Sequence, residues 1–215
     1  KVGDVGGGFG TKVAIYPEDI LVVYAAKKLN LPIKWTATRT EEFQASVHGR
    51  DHMNVAELAC DPEGRIQALS VKTLANTGAY LINPALLIPL GLMSKVITSV
   101  YDIPSIYLET RCVLTNTAPI GAYRGAGRPE GIYPIERLID MTAREMGIDP
   151  VIIRRRNIIR TENLPYTTPA GEIYESGNFK EVLEQTIKLM DWDGFEFRKA
   201  ESEKRGLLRG RGLAC

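Results

Sequence analysis

The sequence predicts an α+β fold in which mixed, mostly antiparallel strands pack with helices. Three observations carry this. Apolar residues recur at helical spacing over 17–30, 131–147 and 178–190, and alternate over 50–60, 65–80 and 105–116. The tetrad DPEG at 61–64 joins two of the alternating segments closely enough to make them an antiparallel hairpin. Helices and strands mixed in this order argue α+β.

The first helix is PEDILVVYAAKKLN at 17–30. Pro17 suits a first helical turn, Glu18 and Asp19 favour the positive end of its dipole, and Lys27 and Lys28 the negative end. Asn30 and Pro32 stop it. PIKWTATR at 32–39 then reads as a strand with Ile33, Trp35 and Ala37 on one face. After the hairpin, 83–100 is apolar but interrupted by Pro84 and Pro89, giving a broken helix or loop that faces a cavity. A strand over 105–116 runs into a glycine-rich turn. The helical part spans 129–206. It holds an amphipathic helix with the stripe Ile132, Ile135, Leu138, Ile139 and Met146, a short helix from Pro150, a helix capped by Asn178, and a charged, exposed helix over 193–206. Residues 164–177 read as loop or ribbon.

With 215 residues the chain can form one large domain or two small ones, and it is read as a single piece, 1–215, of one domain. A net charge of +1 gives no electrostatic reason to invoke nucleic acid or an anionic membrane. The longest apolar stretch, 85–93, is far too short to span a bilayer and holds Pro89 and Gly91. Cys60, Cys112 and Cys215 are widely spaced, without a C-x-x-C, so the chain holds neither an iron–sulfur cluster nor structural zinc by itself. They read as buried free thiols in a reducing compartment, and the localisation as cytoplasmic. The chain opens without Met and closes in RGLAC, where a strand is expected from Gly212. It reads as an internal fragment of a longer polypeptide.

Two glycine-rich turns stand out: VGGGFGTK at 5–12 and GAYRGAGRPE at 121–130. The first combines a backbone free to take positive φ with a rigid apolar wedge, Phe9. The second sets the guanidinium of Arg124 among Ala122, Gly125, Ala126 and Gly127, which leave room beside it. Neither turn is a known phosphate loop. In the first, Lys12 follows Thr11 rather than Gly, and Thr11 occupies the place of a dinucleotide fingerprint's third glycine.

On these two turns and the spacing between them, the chain resembles the molybdenum-cofactor large subunit of the xanthine oxidase and aldehyde oxidase family. Within it, the pattern is similar to the carbon monoxide dehydrogenase large-chain-like branch with an AYRGAGR loop. The resemblance implies a molybdopterin-binding domain and oxidative hydroxylation of an aldehyde or N-heterocycle, with water as the oxygen source. It implies Gly8, Phe9, Gly10, Tyr123, Arg124 and Gly125 as cofactor-binding residues, with Phe9 and Arg124 next to molybdenum and Arg124 catalytic. Partners would be iron–sulfur and FAD subunits or domains and a small-molecule substrate, in an oligomeric enzyme. The family's general base, a Glu, and a glutamine-bearing glycine loop that holds the cofactor would both lie downstream of this chain, which has no GQG motif. The fragment alone is therefore expected to be inactive and to hold no cofactor. The rival reading is a non-enzymatic nucleotide-, anion-binding or assembly domain.

Departures from the family pattern bear on substrate. Purine-oxidising relatives carry a Glu, an Arg and an aromatic at the positions occupied here by Val13, Leu92 and Ala126. Carbon monoxide dehydrogenases carry a copper-holding Cys directly after the loop Arg, where this chain has Gly125. The reading is a pocket that recognises neither a purine nor copper. His48 and His52, spaced by four on one strand face, lack a third ligand and read as structural. Arg154, Arg155 and Arg156 read as a charge cluster closing a surface helix or as an inter-subunit salt-bridge set, rather than as a nucleic-acid patch.

Overall fold

The computed structural model describes Asp4 and residues 6–215; Val5, which opens the first glycine turn, lies outside the described residues. The chain folds as two compact units. The first comprises Lys1–Val55, Val71–Val96 and Leu108–Gly131, and the second Ala56–Ser70, Ile97–Tyr107 and Ile132–Cys215. The α+β class is what the structure has. Strands β1 (His52–Cys60), β2 (Ile66–Asn76) and β3 (Ile106–Val113) form a sheet in the order β1-β2-β3. The turn between β1 and β2 is closed by Asp61 N–H to Arg65 O at 3.0 Å and Gly64 N–H to Asp61 O at 2.9 Å, so this pair is the expected antiparallel hairpin. At the two ends of the β2–β3 pair, Leu69 N–H donates to Ser105 O and Thr77 N–H to Val113 O. Both bonds span 36 residues in the same sense, which makes that pair parallel. The long connection through 77–105 permits it.

In the first unit, α1 (Pro17–Leu29) begins where Asp19 accepts the Tyr16 N–H at 3.0 Å, and ends at Asn30 in the left-handed conformation. None of its residues is buried. The strand expected over 32–39 does not form. Thr38 instead caps α2 (Arg39–Ala45): its N–H donates to the Glu41 carboxylate at 2.7 Å and its hydroxyl accepts the Glu41 N–H at 3.3 Å. That reciprocal pair, T-x-x-E, outweighs the β propensity of the segment before it. The apolar run after Pro84 forms a π-helical turn (Ile88–Leu92) continuing into α3 (Met93–Val96). Ile88 and Met93 are buried in the unit, as are Val47, Val71 and Ala75, whereas Leu86, Leu87 and Leu90 of the same run are exposed, so only one side of it belongs to the core.

In the second unit, α4 (Arg128–Met146, which begins in the first) buries Ile135 and Ile139, two of the five stripe positions, completely. Helix α5 (Pro150–Asn157) is capped by the Asp149 carboxylate, which accepts the Val151 N–H at 2.7 Å. A two-stranded ribbon of β4 (Tyr166–Thr167) and β5 (Ile173–Tyr174) follows, then α6 (Phe179–Leu189) capped by Asn178, and α7 (Phe195–Glu203). Val151, Ile158, Leu183, Ile187 and Trp192 form one apolar cluster. The Asn157 side chain ties the hairpin turn to α5, accepting from Ile66 N–H and donating to Gly64 O, both at 2.8 Å.

Three expectations for this unit need correction. Helix α7 is not wholly exposed, since Phe195 and Ser202 are buried. No strand forms at 212–215; there the Leu213 carbonyl accepts from Arg154 at 2.9 Å and Cys215 N–H donates to Glu136 at 3.0 Å. Arg154 itself is fully buried, not part of a surface cluster. It pairs with Glu136 at 2.6 Å and Asp140 at 3.0 Å. Three arginines in succession on a helix point 100° apart. Only Arg155, which pairs with Glu184 at 2.6 Å, is a surface ion pair, and Arg156 donates to the Glu63 carbonyl. The three cysteines are free and half-buried, and burial raises the pKa of each.

Candidate functional site

All the residues of this site belong to the first unit. In the first glycine turn Gly7, Phe9 and Gly10 have φ of 106°, 50° and 98°. Phe9 is the outlier, because a side chain there costs about 1–3 kcal/mol, which its surroundings must offset. The turn closes through Thr11 Oγ1 to Gly8 O at 3.0 Å, and a 3-10 turn (Thr11–Val13) follows. Tyr16 pins this end: its hydroxyl donates to Thr11 O at 2.8 Å and accepts the Val47 N–H at 3.2 Å.

The second turn is entered through a bridge between His48 and Ile120, in which Gly121 N–H donates to His48 O at 2.8 Å. Gly125, Ala126 and Gly127 all take positive φ. Gly127 has no room for a Cβ, which would stand 2.6 Å from Leu92 Cβ and 2.7 Å from Met93 N. Leu92 is thereby brought to the second turn at Gly127. Val13 lies on the 3-10 turn, exposed to solvent.

The two turns touch. A Cβ on Gly10 would lie 2.6 Å from the carbonyl oxygen of Ala122, so the backbones meet where only glycine fits. The guanidinium carbon of Arg124 stands 6.0 Å from the centre of the Phe9 ring. No carboxylate pairs with Arg124 among the described residues. Among the described residues its charge is met by the face of the Phe9 ring.

Two residues given no role above hold the second turn: Arg50, outside both motifs, and Glu130, the last residue of the second. Arg50 donates to Tyr123 O at 3.2 Å and Arg124 O at 2.8 Å, and lies 5.2 Å from the centre of the Tyr123 ring. Glu130, buried, accepts the Gly127 N–H at 2.8 Å and pairs with Arg50 at 3.5 Å. The readable signals were a Glu in the first turn of α4 and an Arg after Gly49, whose missing Cβ would lie 2.6 Å from Tyr123 Cβ.

The two histidines do not share a strand face. Arg50 and Asp51, at φ of 72° and 58°, break the chain between them. The His48 ring contacts the Phe43 carbonyl at 2.9 Å through Nε2. His52 begins β1, where burial lowers its pKa against the opposing pull of Glu130 and Asp51, with Arg50 adding to the lowering. Among the described residues no three His, Cys, Asp or Glu side chains group as a metal site. A groove of about 430 Å³ that begins at Lys12, the end of the first turn, is lined also by Tyr16, Trp35, Glu18, Asp19, Glu41 and Glu42. Its acidic lining disfavours an anionic ligand, whereas the unpaired guanidinium and open backbone of the paired turns favour one.

These turns fit an anionic, oxygen-rich cofactor approached by backbone and guanidinium, and residues 1–158 match the family model of the molybdopterin cofactor-binding domain. The chain belongs to this family. It is 36% identical over 213 residues to the nicotine 6-hydroxylase large subunit of Paenarthrobacter nicotinovorans, covering 98% of this chain and 26% of that one. It is 37% identical over 201 residues to the carbon monoxide dehydrogenase large chain of Hydrogenophaga pseudoflava, covering 92% and 25%. The solved quinoline 2-oxidoreductase of Pseudomonas putida 86 superposes with a TM-score of 0.89 at 36% identity, over 94% of this chain and 26% of that one. The chain thus spans about a quarter of the length of these relatives. Among the described residues no helix of the chain is long and apolar enough to cross a membrane.

Proposed function

We propose that residues 1–215 form one piece of the cofactor domain of a molybdenum hydroxylase that oxidises an aldehyde or an N-heterocyclic carbon. The observation that carries this is the meeting of Phe9 and Arg124 across two turns whose backbones touch at Gly10 and Ala122. When bound, the molybdenum cofactor supplies a two-electron oxidation of the substrate carbon with water as the oxygen source, the electrons leaving to iron–sulfur and FAD carriers on partner chains or domains. The chain's own part is positioning and electrostatics. Gly8, Phe9 and Gly10 bring backbone to the cofactor, and the Phe9 ring shields one side of Arg124 from water. Arg124, free of any carboxylate partner among the described residues, offers its charge to an oxygen that becomes negative in the transition state. Tyr123 and Gly125 flank it, and Gly125 places no thiolate there. Val13, Leu92 and Ala126 shape an apolar substrate side.

Helix α1 supports the reading of a component within a larger protein. Ile20, Leu21, Val23 and Tyr24 are all exposed on it, and a helix apolar around its circumference belongs in an interior. The free thiols favour the cytoplasm. Because the glutamine-bearing glycine loop that would hold the cofactor and the general base are both assigned downstream, the 215-residue chain alone should contain no stoichiometric molybdenum. Metal analysis and steady-state assays of the full-length protein test the proposal, with turnover of aldehydes expected to exceed that of xanthine. Efficient xanthine turnover would overturn the substrate assignment. Full molybdenum occupancy in the isolated chain would overturn the division of the site.

A further inference from the structure

Arg50 directs its guanidinium wholly at the second turn. One nitrogen donates to the Tyr123 carbonyl, another to the carbonyl of Arg124 itself, and the plane lies over the Tyr123 ring. Its counter-charge, Glu130, returns to the same turn from the other end by accepting the Gly127 N–H. The turn from 123 to 127 is therefore held at both ends by one ion pair. Gly125, Ala126 and Gly127 have positive φ, and within 123–128 the turn's own backbone bonds are local, Ala126 N–H to Tyr123 O at 2.8 Å and Arg128 N–H to Gly125 O at 3.2 Å, so the Arg50–Glu130 pair adds the tie to a distant segment. Gly49 seats the pair by letting the chain press against Tyr123 without a Cβ.

We propose that Arg50 and Glu130 are positioning residues that fix the 123–127 turn so that the Arg124 side chain stays beside Phe9. The consequence for catalysis rests on the role given to Arg124 above; the tie itself does not. A planar fork with donors along two edges can hold two carbonyls and a carboxylate together, which an ammonium cannot reproduce. Arg50→Lys should therefore restore only part of what Arg50→Ala loses.

The test uses the full-length holoenzyme, with Arg50→Ala, Arg50→Lys and Glu130→Gln, and Arg155→Ala as a control far from the site in sequence. Hydrogen exchange of the amides at 122–128 should quicken about tenfold or more in Arg50→Ala and Glu130→Gln, as for a turn freed to open locally. With molybdenum content unchanged, kcat should fall roughly 10–100-fold while KM changes little, because a displacement of about 1 Å can cost that much. Arg50→Lys should lie between wild type and Arg50→Ala in both readouts. Unchanged exchange at 122–128 in folded Arg50→Ala and Arg50→Lys proteins overturns the tie whatever the activity. Quickened exchange with full kcat upholds the tie and overturns the catalytic role of Arg124 instead.

Discussion

Glu136 receives both Nε and Nη2 of Arg154, at 3.1 and 2.6 Å, inside the second unit where Arg154 has no solvent contact. Its other oxygen accepts from Tyr101 at 2.7 Å and from Cys215 N–H at 3.0 Å. Burial, then the charge of Glu136, pushes the Tyr101 hydroxyl well above its usual range, so it remains a donor. Every polar atom of the carboxylate is used, and that completeness makes a buried charge tolerable.

Removing one member leaves the others stranded. Arg154→Ala should destabilise the chain by about 3–5 kcal/mol, the cost of a buried charge left without its partner. Arg155→Ala, which breaks the exposed pair with Glu184, should cost less than about 1 kcal/mol. Urea denaturation of the wild type and both variants checks the contrast. Equal midpoints for the two variants would refute the structural role given to Arg154.

Arg124 should behave in the opposite way, mattering to turnover and little to folding. Arg124→Ala in the full-length enzyme should lower kcat by about 10²–10³, the usual cost of losing one preorganised donor. Arg124→Lys keeps the charge without the fork and should remain impaired. An unchanged kcat in Arg124→Ala removes it from the chemistry.

Gly10→Ala probes the contact between the two turns. The new methyl would sit 2.6 Å from the Ala122 carbonyl on a backbone at φ 98°, and nothing flexible is there to yield. A loss of about 1–3 kcal/mol is expected from strain of this kind. Gly6→Ala, where a Cβ meets nothing within 4 Å, is the control. Thermal unfolding of both distinguishes a true backbone contact from a loosely placed turn.

His52 makes stability pH-dependent. Its pKa is lowered from 6.5, chiefly by burial, so the folded state binds this proton more weakly than the unfolded chain does. The stabilising contribution is complete above about pH 6.5 and is lost as pH falls through the lowered folded value. His52→Gln should lose less stability than wild type between about pH 7.5 and about pH 5.5, read from urea midpoints. Equal losses would assign the effect to another group.

Much was legible in the residues themselves because its causes are local. The helices at 17–29, 150–157 and 179–189 follow from Pro17, Pro150 and Asn178 at their starts, and the hairpin from DPEG, each a signal within about five residues. The capping box of Thr38 and Glu41 is equally local, but a strand-like alternation before it masks its signal. The glycine turns announce themselves by composition, since glycine is the residue that takes positive φ without strain. What composition cannot state is which turn meets which. Phe9 and Arg124, or Arg50 and Glu130, come together only when distant segments are packed, and a charged residue looks the same in sequence whether it faces water or a buried partner. The tertiary structure alone decided that Arg154 lies inside while Arg155 lies outside, because a helix turns them 100° apart and only one direction led to Glu136.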